Sequence, residues 1–298
     1  MIVDMNSTKL PAPRTFLGSK IFPALLCAAT GLGISACSSP TNTTHSTQVP
    51  SSTHEVSSAA DSAIPRLKVH IENTLPFDAT AFTQGLEVDG DRLLVSTGWK
   101  GESRIFHRSL DGVNTDEHNL DPEFFGEGST RFNDVVWQLT WQSGVAFKRD
   151  AETLVELQRV TYPGEGWGLC SFNDTLVMSD GTNELRFLNG DTFEETSRIA
   201  VTRAGLPATS LNELACTTDN GVNYVWANVF LSTDIYKINA TTGVVEAIVD
   251  ASDVPNNATD DPNHVLNGIA AIPGTDKFYI TGKRWPDLYE VRFVNAQP

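Results

Sequence analysis

The sequence predicts an all-β protein, a five-bladed β-propeller, and three observations carry that expectation. From residue 67 onward, short apolar runs rich in β-branched and aromatic residues alternate with Gly, Asp and Asn turns, and no long segment keeps a helical period. Five segments resemble one another internally. Anchored on Gln84, Glu127, Trp167, Asn212 and Asn267, they recur at spacings of 43, 40, 45 and 55 residues. A period of that size with several strands per unit is what a propeller blade requires.

Residues 1–36 read as an export signal, not as part of the fold. Arg14 and Lys20 supply positive charge, "IFPALLCAATGLGISA" is an apolar run of h-region length, and Met5 is an alternative start. The following "ISAC" (34–37) resembles the lipobox of bacterial lipoproteins, which implies lipidation of Cys37; a plain secretory signal cut near Ala36 is the alternative. Ser38 after the cysteine implies, by the same resemblance, an outer-membrane lipoprotein facing the periplasm of a double-membraned bacterium. Residues 37–65 are Ser/Thr/Pro-rich and cannot bury a core, so a disordered tether is expected. The catalytic domain is expected over 66–298.

The repeats follow in order. They are "TQGLEVDGDRLLVSTGW", "GEGSTRFNDVVWQLTW", "GWGLCSFNDTLVMSDG", "LNELACTTDNGVNYVWANV" and "LNGIAAIPGTDKFYITGK". Each gives two strands around an Asn, Asp or Gly turn. A third strand follows each one: "RIFHRSL", "GVAFKRD", "ELRFLNG", "DIYKINA" and "LYEVRFV". The leading stretch "LKVHIENTLPF" is expected to complete the last blade, which would leave no exposed sheet edge at the closure. The "SDVPNNATDDPNH" insertion explains the longest interval.

The first strand of each blade lines the axis, so the five anchors should converge. A second set comes from the end of the next strand: Trp141 and Trp226 lie 14 residues after Glu127 and Asn212, and Lys283 lies 16 after Asn267. A pore filled only for stability would use Val, Leu and Ile. One acid, several amides, indoles and a lysine instead suit a pocket with aromatic walls and polar orienters, although polar channels that merely hold water are the competing reading.

"AFTQGL" (81–86), "FGEG" (125–128), "QLTW" (138–141), "GEGWGL" (164–169), "SDG" (179–181), "LNEL" (211–214), "VWANV" (225–229), "LNGIA" (266–270) and "TGKRWP" (281–286) occur in order across all five blades. Together they resemble the plant-type glutaminyl cyclases, a family of five-bladed propellers that convert N-terminal glutamine to pyroglutamate with release of ammonia. The resemblance implies a catalytic set of Glu127, Gln84, Asn212 and Lys283, with Phe82, Trp141, Trp167 and Trp226 binding substrate. Ala215 departs from the acid that the family commonly has there. The implied partner is a peptide or protein with N-terminal glutamine.

The chemistry suits those residue types. The α-amine must attack its own side-chain amide, so the walls must hold a curled conformer. One carboxyl, Glu127, can accept the amine proton and return it to departing ammonia, with Glu165 in reserve. Gln84, Asn212, Lys283 and an indole N–H are candidates for stabilising the oxyanion. No metal or other cofactor is expected: His54, His70, His107, His118 and His264 are scattered, and zinc spacings are absent from the sequence. A net charge of -16 argues against nucleic acid and against peripheral docking on anionic lipid, so membrane contact is expected only through a lipid anchor. Cys170 and Cys216 are either a disulfide or two buried thiols. A monomer is the default expectation. A non-catalytic binder of peptide N-termini and a lactonase-like hydrolase are the alternatives; the hydrolase would want several channel carboxylates where the anchors supply one.

Overall fold

Alternating β-branched, aromatic and polar residues after position 65 produce twenty-two strands among residues 60–296, the part of the chain that the computed structural model describes. The predicted signal, the lipobox at Cys37 and most of the predicted tether lie outside the described residues. β1 (Arg66–Pro76) leads. One antiparallel sheet then runs in chain order through β2 (Thr83–Asp89), β3 (Arg92–Thr97), β4 (Arg104–Ser109) and β5 (Asn114–Asn119). A second contains β6 (Gly126–Phe132), β7 (Val135–Thr140), β8 (Val145–Asp150) and β9 (Glu156–Thr161). The third contains β10 (Leu169–Ser171), β11 (Leu176–Ser179), β12 (Glu184–Leu188) and β13 (Glu195–Ala200). A small hairpin, β14 (Thr202–Arg203) and β15 (Leu206–Pro207), precedes β16 (Leu211–Asp219), β17 (Val222–Val229), β18 (Asp234–Asn239) and β19 (Val245–Asp250). β20 (Leu266–Ala271), β21 (Lys277–Gly282) and β22 (Asp287–Asn295) end the chain's secondary structure.

The last ladder takes its fourth strand from the other end of the sequence. β1 pairs antiparallel with β22 from Leu67↔Asn295 to Pro76↔Asp287, with a register slip between Ile71 and Asn73. That is the closure expected of "LKVHIENTLPF". The start of β1 also does something the sequence did not suggest. Arg66–Lys68 pair parallel with Ile248–Asp250 of β19, so two four-stranded ladders merge into one eight-stranded sheet. The parallel pairing satisfies edge groups of β19 that would otherwise face solvent. Ordered packing begins before residue 66: Ile64 packs against a buried apolar cluster, and Arg203 Nη2 donates to Asp61 Oδ2 at 2.8 Å.

The first strands neighbour one another around a ring: β2 touches β6 and β20, β10 touches β6 and β16, and β16 touches β20. The apolar core is therefore not central. It is divided into wedges between neighbouring sheets, such as Leu94, Ile105, Val136 and Leu154, or Leu169, Leu176, Trp137 and Leu188. Outer strands become progressively polar; Glu156–Thr161 and Glu195–Ala200 are almost wholly exposed. Close approach at the ring requires small residues. A Cβ on Gly168 would lie 2.1 Å from the Asn212 carbonyl oxygen, so this glycine admits the neighbouring strand.

Cys170 of β10 and Cys216 of β16 form a disulfide, with Cα atoms 5.5 Å apart, which resolves the choice left open by the sequence. It staples adjacent first strands 46 residues apart in sequence. Loop-closure entropy for a ring of that length is worth about 4 kcal/mol in the simplest chain model. Cys170→Ala/Cys216→Ala should lower the denaturant midpoint and steepen the slope, because the unfolded chain is no longer held compact, and an unaltered midpoint would show that the staple contributes nothing.

Candidate active site

Four anchor side chains form a polar floor. Gln84, Glu127, Asn212 and Asn267 are all at most 1% exposed and project from the starts of β2, β6, β16 and β20. Asn267 Nδ2 donates to the Thr83 carbonyl and to Gln84 Oε1, both at 3.0 Å. That fixes which way the Gln84 amide faces, and its Nε2 donates to Glu127 Oε1 at 2.9 Å. Glu127 Oε2, both side-chain polar atoms of Asn212 and Asn267 Oδ1 are buried without a protein partner. Unsatisfied groups normally cost about 1–3 kcal/mol each, so a set of them at one place marks a site built for something else to complete.

Burial governs the ionisation here. It pushes the Glu127 carboxyl well above the usual carboxylate range; Lys283 opposes the rise, Glu165 adds to it, and the Gln84 hydrogen bond opposes it. Burial likewise lowers Lys283 to about 8, against the pull of Glu127 and Glu213. Both groups are driven toward neutrality, the condition under which a carboxyl can give as well as take a proton near neutral pH.

Above the floor runs a belt of rings. Phe82 meets Phe125 edge-on at 6.1 Å, and Phe125 meets Trp141 at 5.5 Å. Trp141 and Trp167 both donate their indole N–H to Glu165 Oε2, at 2.8 and 3.0 Å. Trp167 meets Phe230 at 5.5 Å. Lys283 closes the circuit, its Nζ 5.3 Å from the Phe230 centroid and 5.0 Å from that of Phe82. The structure thus brings together Phe82, Gln84, Glu127, Trp141, Trp167 and Lys283, with Asn212 at the same ends of the strands. Glu165 is an indole brace, so both belt indole N–H groups are already committed.

Trp226 is not in this belt. Its indole packs on Phe278 and Phe293 and donates to Thr217 Oγ1, in an apolar wedge between the two ladders of the eight-stranded sheet. The reason is hairpin length: β16 and β17 run to nine and eight residues where β6 and β7 run to seven and six. Fourteen residues from Asn212 therefore end inside β17, about 10 Å short of its end. Backbone bonding identifies the true equivalent. Trp141 N donates to Phe125 O, Lys283 N to Val265 O and Phe230 N to Ser210 O, in each case the residue two before the anchor. Phe230 holds the position expected of Trp226. Phe230→Ala should raise KM with little loss of stability, whereas Trp226→Ala should cost about 3–5 kcal/mol of stability and leave KM alone. Measured KM values and unfolding midpoints decide between the two.

Phe125, Phe230 and Glu213 were missed by sequence reasoning. Phe125 lies inside the quoted "FGEG" and Glu213 inside "LNEL", while Phe230 directly follows "VWANV". Glu213 is fully buried and accepts from Leu86 N at 2.9 Å, linking β16 to β2. Burial, and then the nearby Glu127 and Glu87, push its carboxyl well above the usual range against the backbone hydrogen bonds it accepts. At the far ends of the same strands a cavity of about 320 Å³ is lined by Val88, Cys216, Thr218 and Pro273; it contains none of the belt.

A family model described as glutamine cyclotransferase matches residues 43–293. The chain belongs to that family. An Arabidopsis thaliana glutaminyl-peptide cyclotransferase is 31% identical over 237 residues, covering 77% of this chain and 72% of the relative. The crystal structure of Myxococcus xanthus glutaminyl cyclase matches with 34% identity and a TM-score of 0.72, across 78% of this chain and 100% of that one. As a glutamine cyclotransferase family member, the chain presents the buried carboxyl and ring-walled cup together, which the sequence resemblance required of it.

Proposed function

We propose that this chain is a glutaminyl-peptide cyclotransferase, closing N-terminal glutamine of peptides and proteins to pyroglutamate and releasing ammonia. The observation that carries the reading is the half-satisfied Glu127 carboxyl, held by Gln84 on one oxygen and open on the other, beneath a belt of rings. Glutamine enters curled, its side chain confined by Phe82, Trp141, Trp167 and Phe230. Glu127 takes a proton from the α-amine as its nitrogen attacks the side-chain amide carbon. The C–N bond closing the ring forms, the carbonyl oxygen becomes an oxyanion, and Lys283 with Asn212 stabilises it. Glu127 then returns the proton to the amide nitrogen, the old C–N bond breaks, and ammonia leaves. Confinement of this kind can be equivalent to about 7–11 kcal/mol of barrier.

The finer architecture is five blades around one axis, supported by four-stranded ladders whose first strands ring the anchors. Export and lipid attachment at Cys37 form part of the same proposal, with the domain held as a monomer at the periplasmic face of an outer membrane. The Cys170–Cys216 bridge supports an oxidising compartment. Mass spectrometry of a Gln-initiated peptide incubated with the full chain tests the activity: the product should be lighter by one ammonia. An unchanged peptide would defeat the reading. Lipid incorporation lost in Cys37→Ser tests the anchor.

A further inference from the structure

The turn that follows the belt is made with unsuitable residues. The residues that follow Gly98, Trp141, Asp180, Phe230 and Lys283, where each second strand ends, are Trp99, Gln142, Gly181, Leu231 and Arg284. Four of these are left-handed: φ is 89° at Trp99, 79° at Gly181, 60° at Leu231 and 58° at Arg284. Glycine makes this bend without penalty, and a bulky residue pays roughly 1–2 kcal/mol. Gly181 has a packing reason as well, since a Cβ there would stand 2.6 Å from the Trp167 ring. At the other three positions the side chain is kept despite the strain.

For Leu231, fold packing does not explain why. Leu231 is 57% exposed. Trp99 is half-buried, its ring 5.1 Å from that of Phe82. Arg284 is balanced by Glu102, at 2.8 Å, and also donates to the Thr80 carbonyl. The three are consecutive around the mouth. Lys283 lies over both Phe82 and Phe230, so its neighbour Arg284 falls between Leu231 and Trp99. Retained strain at the mouth of a site is a signature of function.

We propose that Leu231, Arg284 and Trp99 form the subsite for the residue that follows the glutamine, and that it favours an apolar or aromatic side chain there. This rests on the cyclotransferase reading. When the glutamine side chain and amine occupy the cup, the glutamine carbonyl must lead the rest of the peptide outward, past the belt and onto its rim. On the opposite arc, Trp141 and Gln142 are tied to Glu165. The remaining arc offers a leucine, an indole and a guanidinium whose charge is already answered, a surface suited to hydrocarbon or ring stacking rather than to a charged residue.

The test uses three substrates, glutamine amide, Gln-Gly amide and Gln-Phe amide, with the full-length parent, Leu231→Gly and Trp99→Gly. Glycine relieves the backbone, so folding should hold and unfolding midpoints should stay level or rise. The parent should favour Gln-Phe over Gln-Gly by about tenfold in kcat/KM, expressed in KM, as expected for burying one large apolar side chain. Each variant should lose most of that preference, and Leu231→Gly should process glutamine amide as the parent does. No preference in the parent overturns the proposal, as does an equal loss on all three substrates in both variants. A parent that cyclises none of them removes the underlying activity instead, and the subsite with it.

Discussion

Glu127→Gln should lower kcat by roughly 10²–10⁴-fold while leaving the fold intact, because the amide keeps the shape and the Gln84 contact but cannot relay a proton. The same change should stabilise the protein. The folded carboxyl titrates well above its ordinary range because it is buried, so above the unfolded value the native state must either retain a proton that the unfolded chain releases or bury a charge. That penalty grows as pH rises and disappears below the unfolded value of about 4.3. The variant should therefore unfold at a higher temperature than the parent at pH 8, with the gap closing toward pH 4. Loss of activity together with loss of stability would mean that Glu127 is a structural carboxyl.

Lys283→Met should cost roughly 10²–10³ in kcat, the usual effect of removing one preorganised oxyanion donor. It should also alter the pH profile. The parent's Lys283, lowered to about 8 by burial, loses its charge across the alkaline side of neutrality, so the parent's kcat/KM should fall there. In the variant that fall is absent, and only the ionisation of the substrate amine remains. Stability follows the opposite sign: a depressed lysine makes the parent more stable as pH rises from about 8 toward its unfolded value near 10.4. The methionine variant should show no such rise. A variant that keeps the parent's alkaline limb would assign that limb to another group and Lys283 to packing against Phe82 and Phe230.

The sequence was informative where the repeat was regular. Spacing alone put Gln84, Glu127, Asn212 and Asn267 at equivalent strand starts, because each of those units opens with a polar anchor, followed by glycine in all but that of Asn212. It failed where one hairpin was longer than its relatives. Counting from Asn212 reached Trp226 in the wedge between the two merged ladders, and the Phe230-to-Ser210 backbone bond reveals which aromatic ends the second strand. The disulfide was undecidable because cross-sheet distance is not written in one strand. Glu165 was readable as an acid beside an indole, but its bracing of two indoles depends on Trp141 arriving from another sheet. Glu213 sits where other first strands place glycine, and its reach to Leu86 depends on a ring closed in three dimensions.

Infrared difference spectroscopy of the full-length parent against Glu127→Gln, titrated with pH, addresses the proton relay most directly, since subtraction removes the other buried carboxyls, Glu213 and Glu87. The expected result is a carboxyl band that gives way to carboxylate at a distinctly higher pH than a free glutamate, so that both the form that accepts the amine proton and the form that passes it on are within reach. A carboxyl that ionises where a free glutamate does would contradict the relay, because so weak a base would draw few protons from the attacking amine.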